Sequence, residues 1–119
     1  MPQDIDQQLE MTAQVVEVNL SHGDQVDRPR QIDHLAAFRS RASAAAAAAE
    51  LQAAGYRIDG MRRRLLKVWL EFSGVTAVGH ERAAEFTREV VGILDRHSGV
   101  YDGWSGFLVT GAPGGRPEA

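Results

Sequence analysis

The sequence predicts an α+β domain whose helices cover one face of an antiparallel sheet. Three observations carry that prediction. Leu66, Val68, Leu70 and Phe72 alternate with Lys67, Trp69, Glu71 and Ser73. One apolar face and one mostly polar face is what a sheet covered on a single side requires. His80 to His97 reads as an amphipathic helix with Ala83, Phe86, Val90, Ile93 and Leu94 as its stripe. Strand and helix signals then alternate as strand, helix, strand, strand, helix, strand, after one N-terminal helix.

The elements follow in order. Asp4 is placed to cap the first helix, with Gln7 three residues on. Ile5, Leu9, Val16 and Leu20 recur at helical spacing, and Gly23 is placed to stop the helix. Val15 to Val18 is richer in β-branched residues than a helix favours. Asp24 to Arg30 is a polar connector containing Pro29. Gln31 to Arg39 alternates as a strand, with Ile32, His34, Ala36 and Phe38 on one side. Ser40 caps a second helix through the alanine run Ala44 to Ala49, closed by Gly55. Tyr56 to Asp59 is a short strand, and Gly60 begins a turn toward Arg62, Arg63 and Arg64. The long strand runs from Leu65 to Ser73. Val100 to Val109 is the last strand, where Gly103 and Gly106 suggest a bulge or a close backbone approach.

This is the split βαβ, or ferredoxin-like, βαββαβ pattern with sheet order 4-1-3-2. Its organisation is a helix and connector over 1–30, the sheet domain over 31–110 and a Gly- and Pro-rich disordered tail over 111–119. Both covering helices lie on one face, leaving the other open. Asp33 or His34, Trp69, and Asp102 or Trp104 then share one neighbourhood, with strand phase deciding which point outward.

Composition narrows the function. The chain has 119 residues, 44 % hydrophobic and 24 % charged, enough for one modest core but no separate cofactor domain. It has no cysteine, which excludes disulfides, thiol nucleophiles and thiolate zinc sites. A net charge of −3 argues against a strongly basic nucleic-acid binder but permits a local basic patch. No run approaches the roughly 18 apolar residues of a membrane span. The start is polar and acidic, unlike a secretory signal. The expected location is therefore the cytoplasm, with no membrane partner.

His22, His34, His80 and His97 show no metal-site spacing, and no phosphate loop or nucleophile elbow is present. No cofactor is implied. Asp33 and His34 are adjacent, so a regular strand points them to opposite faces and they form no pair with each other. Tyr101, Asp102, Gly103 and Trp104 put two aromatics with polar handles around a residue that lets the backbone bulge. Such residues either pack the fold or anchor an interface.

Two groups of residues carry a resemblance. The first is Gly23-Asp24, then Pro29-Arg30, then Asp33-His34; the second, and more specific, is Tyr101-Asp102-Gly103-Trp104. In this order around a βαββαβ frame they resemble the ribonuclease E regulator B family (RraB-like proteins), over roughly Asp4 to Val109. The resemblance implies a non-catalytic protein that binds a ribonuclease E-type endoribonuclease and reduces its cleavage of RNA. The well-studied regulators are strongly acidic; this chain departs from them, with Arg62, Arg63 and Arg64 together.

On this reading Asp33, His34, Trp69, Tyr101, Asp102 and Trp104 are the partner-binding candidates. Arg30, Arg62, Arg63 and Arg64 are candidate anion contacts. The alternative is a small RNA- or ligand-binding module using the same face. A third reading is an enzyme with His34 and Asp102 as acid and base, which requires them to meet. The oligomeric state is open.

Overall fold

The computed structural model describes residues 3–110. The tail expected over 111–119 lies outside the described residues. The elements run α1 (Ile5–Ser21), β1 (Arg30–Phe38), α2 (Arg41–Ala53), β2 (Arg57–Arg64), β3 (Lys67–Thr76), α3 (His80–Asp95) and β4 (Val100–Ser105). The sheet is four-stranded, ordered β2-β3-β1-β4, and every neighbouring pair is antiparallel. This is the ferredoxin-like α+β arrangement, with an additional helix first.

Local chemistry sets the helix ends. The Asp4 carboxylate accepts from the backbone N–H groups of Asp6 and Gln7, and Ser40 Oγ accepts from Ser43 N–H. Gly23 (φ +83°) and Gly55 (φ +103°) stop α1 and α2 in the left-handed region. The small face of α2 lets it sit close to the sheet: Ala44, Ala47, Ala48 and Leu51 are buried there.

The core lies between the helices and one face of the sheet. Ile32, Ala36 and Phe38 of β1 point into it, as do Val68, Leu70 and Phe72 of β3. Ala83, Phe86, Val90, Ile93 and Leu94 of α3 close it from above, as their spacing predicts. α1 packs mainly against α3. Its buried positions are Thr12 and Val16, while Leu20 remains 39 % exposed. A threonine is tolerated there because its hydroxyl is 2.8 Å from Thr87 Oγ1.

Several strand boundaries differ from the sequence reading. Gly60 begins no turn: the register shifts between Ile58 and Gly60, and the strand continues through Arg62, Arg63 and Arg64. An edge strand with a solvated side tolerates arginines, whose polarity resembles that of a turn. The turn is Leu65-Leu66, so β3 starts at Lys67 rather than Leu65. The last strand is shorter than expected and ends at Ser105. Gly103 (φ +99°) marks a bulge. Gly106 is the close approach: a Cβ there would lie 2.7 Å from the Ile32 side chain and 3.1 Å from the Gln31 carbonyl oxygen.

Candidate functional site

The pleat sorts the sequence candidates onto two sides. On β1, Asp33 is exposed while Ile32 and His34 are buried. On β4, Asp102 is exposed and Tyr101 buried. On β3, Trp69 and Glu71 alternate with buried Val68, Leu70 and Phe72. Asp33, Trp69 and Asp102 therefore share the open face. His34, Tyr101 and Trp104 belong to the helix side.

The bulge explains why Tyr101 and Trp104, three positions apart, both turn inward. Ala36 pairs with Tyr101 and His34 with Trp104, so β4 spends one residue more than β1 between those pairs. Gly103 supplies the positive φ that this requires. The Trp104 ring meets Phe86 edge-on at 5.2 Å, and its Nε1 donates to Thr12 Oγ1 at 3.2 Å. Trp104 thus ties β4 to α1 and α3.

His34 is 3 % exposed and stacks on Phe72 at 5.0 Å. Its Nδ1 lies 2.7 Å from the Tyr101 hydroxyl oxygen. Burial pushes the His34 imidazole down to about 4, partly opposed by the charge of Asp33. Burial also pushes the Tyr101 hydroxyl well above its ordinary range, so it stays protonated. His34 bonds Tyr101 in the core rather than Asp102 at the surface. The acid–base pair of the enzyme reading does not form, because His34 points to the helix side while Asp102, next to inward-facing Tyr101, points to the open face. His34, Tyr101 and Trp104 lie on the helix side of the sheet, and His34 and Trp104 also line the concavity of the opposite face.

Arg30 was a candidate anion contact, and the structure corrects that. Its guanidinium is buried against Asp24, at 2.9 Å from both carboxylate oxygens. It also donates to the backbone carbonyls of Gln25, Arg28 and Phe107. Asp24 in turn accepts from Val109 N–H at 3.0 Å. The pair clamps the connector and the segment after β4, leaving the guanidinium no free edge for an anion. Arg62, Arg63 and Arg64 are exposed along β2.

The open face has two chemically distinct parts. Near its centre is a shallow concavity of about 580 Å³ whose charged lining is Asp33, Asp59, Glu71, Asp102 and Arg57. Arg57 is itself paired with Asp59 at 2.6 Å. Four carboxylates against one engaged guanidinium make this hollow acidic. Toward the β2–β3 turn lies a smaller hollow of about 170 Å³ lined by Leu35, Arg62, Arg64 and Trp69. Lys67 Nζ sits 5.8 Å from the Trp69 ring centroid. Arg62 reaches Glu71 at 3.5 Å, at the boundary between the two parts.

Sequence reasoning did not single out Leu35, Asp59 and Glu71 as site residues. Leu35 and Glu71 share strand phase with Asp33 and Trp69, so strict alternation carries that signal. Asp59 carries none, because the irregularity between Ile58 and Gly60 is invisible in the residue pattern.

A model of the family described as Regulator of ribonuclease activity B (RraB) matches residues 9–105. The chain belongs to that family. No curated protein matches it. The RraB match runs from within α1 to the end of β4, so it takes in both sides of the sheet and the Gly103 bulge. RraB proteins are, by that description, regulators of a ribonuclease activity. Among the described residues no helix is long and apolar enough to cross a membrane.

Proposed function

We propose that this chain is a non-catalytic cytoplasmic regulator that binds a ribonuclease E-type endoribonuclease through the open sheet face and inhibits its cleavage of RNA. The observation that carries this reading is the acidic hollow formed by Asp33, Asp59, Glu71 and Asp102 beside Trp69. An enzyme that holds RNA presents cationic side chains to phosphates. A rigid face of carboxylates offers those side chains competing partners, with charge-assisted hydrogen bonds at each contact. Trp69 supplies the large amphipathic surface on which protein interfaces commonly concentrate affinity. Membership of the RraB family supports the ribonuclease as the class of partner.

The test is cleavage of a single-stranded RNA by a purified ribonuclease E-type enzyme with and without this chain. A slower rate that titrates with the chain and is restored by raising salt is the expected outcome. Unchanged cleavage, with no complex by sedimentation, contradicts the reading. Binding of the RNA by the chain alone would instead favour a nucleic-acid module.

A further inference from the structure

β2 and β3 close on the Arg64–Lys67 pair, leaving Leu65 and Leu66 as a two-residue turn. Both leucines are 87 % exposed. Leu65 holds φ at +58°, in the left-handed region, at a turn position that favours glycine. Folding rewards this residue neither by burial nor by backbone comfort. Its apolar surface becomes favourable only when a second phase or partner takes it out of water.

The charges around the tip indicate what that partner is. Arg63, Arg64 and Lys67 flank the turn. Arg39 follows the Phe38–Val68 pair, beside Lys67, and Arg41 opens α2 at the same end. Segments 39–41 and 61–67 hold six of the thirteen Lys and Arg residues and no Asp or Glu. Among the described residues, no carboxylate pairs with Arg39, Arg41, Arg63 or Arg64. In a chain of net charge −3 this end is locally cationic.

We propose that the β2–β3 tip docks on an anionic lipid surface. Leu65 and Leu66 enter the boundary between headgroups and acyl chains, while Arg39, Arg63, Arg64 and Lys67 meet lipid phosphates. Adjacent exposed aliphatic side chains flanked by long cationic ones match the pattern of an interfacial anchor. Nucleic acid would use the cations but leaves leucines idle, since single strands are held by stacking on aromatic rings. A stable protein interface buries far more than the two side chains of a convex tip. The expectation of no membrane partner rests on the lack of a long apolar run, which does not bear on a two-residue tip. Surface docking needs no span, and a tip at the end of the sheet leaves the acidic hollow clear.

Each cation beside an anionic surface contributes about a fivefold factor in affinity. The experiment is co-sedimentation of the purified chain with vesicles of phosphatidylethanolamine and phosphatidylglycerol, and with vesicles of phosphatidylcholine alone. The chain should bind the anionic vesicles at least about tenfold more tightly, and high salt should weaken that binding. The variant Leu65→Gly with Leu66→Ser relieves the positive φ, so its unfolding midpoint should equal or exceed that of the parent. Its vesicle binding should fall about tenfold or more. Arg63→Ser with Arg64→Ser should fall by a similar factor. No binding to anionic vesicles, or undiminished binding by the leucine variant, overturns the proposal. So does a chain that ignores vesicles but binds single-stranded RNA through Arg63 and Arg64.

Discussion

His34 and Tyr101 form a hydrogen bond 2.7 Å long that joins the central strand β1 to the edge strand β4 on the helix side of the sheet. Nδ1 is the ring atom involved, so a neutral imidazole accepts there from the protonated Tyr101 hydroxyl or donates to it through the other tautomer. Burial keeps His34 uncharged in this pair. The enzyme reading pairs His34 with Asp102, yet its partner is Tyr101 in the core, where the two fix how β4 lies against β1.

The first prediction concerns pH. Burial holds the folded-state value of His34 at about 4, below the 6.5 of an unperturbed histidine. As pH falls below 6.5 the unfolded chain takes up the proton first, so stability falls. The loss begins near pH 6.5, continues to about pH 4 and then levels off. Its size is of the order of 3 kcal/mol at one pK unit per 1.36 kcal/mol. Urea unfolding at a series of pH values should show this slope, and His34→Gln should remove most of it. A slope unchanged in the variant would refute this role for His34.

The clamp gives a second prediction. Arg30→Met leaves Asp24 with a carboxylate buried beside an apolar chain, and removing one partner of a buried pair costs about 3–5 kcal/mol. The double variant Arg30→Met with Asp24→Leu should recover part of that loss in denaturant unfolding. If the double variant is no better than the single one, the cost lies in packing or in the other hydrogen bonds of the two side chains.

The two tryptophans should behave oppositely. Trp104 packs on Phe86 and donates to Thr12. Trp104→Ala should cost about 3 kcal/mol of stability. Trp69 lies on the open face, so Trp69→Ala should cost less than about 1 kcal/mol while reducing ribonuclease inhibition. Thermal melts beside cleavage assays separate the two effects. A destabilised Trp69→Ala with normal inhibition would exchange the assigned roles.

Much of this fold was legible in the residues because each element advertises its buried face. The stripe of α3, the alternation of β3 and the caps at Asp4 and Ser40 each specify an element locally. The β2–β3 turn was not legible. Gly60 and three consecutive arginines imitate a turn, whereas Leu65-Leu66 imitates a strand, and only the pairing of Arg64 with Lys67 settles the matter. At the site, the open face was predictable from topology, but its membership was not. Strand phase around Gly103 decides whether Trp104 faces outward, and a one-residue bulge reverses the answer that simple alternation gives.

The central claim is that the open face is the surface that meets the ribonuclease. Its most direct test is the affinity of purified ribonuclease E-type enzyme for three forms of this chain, measured by titration calorimetry. These are the parent, a face variant with Asp33→Ser, Glu71→Ser and Trp69→Ala, and a control with Arg88→Ser on the exposed side of α3. The account predicts more than about tenfold weaker binding for the face variant and none of that loss for the control. Equal affinity for all three forms, with the face variant folded by circular dichroism, would contradict it.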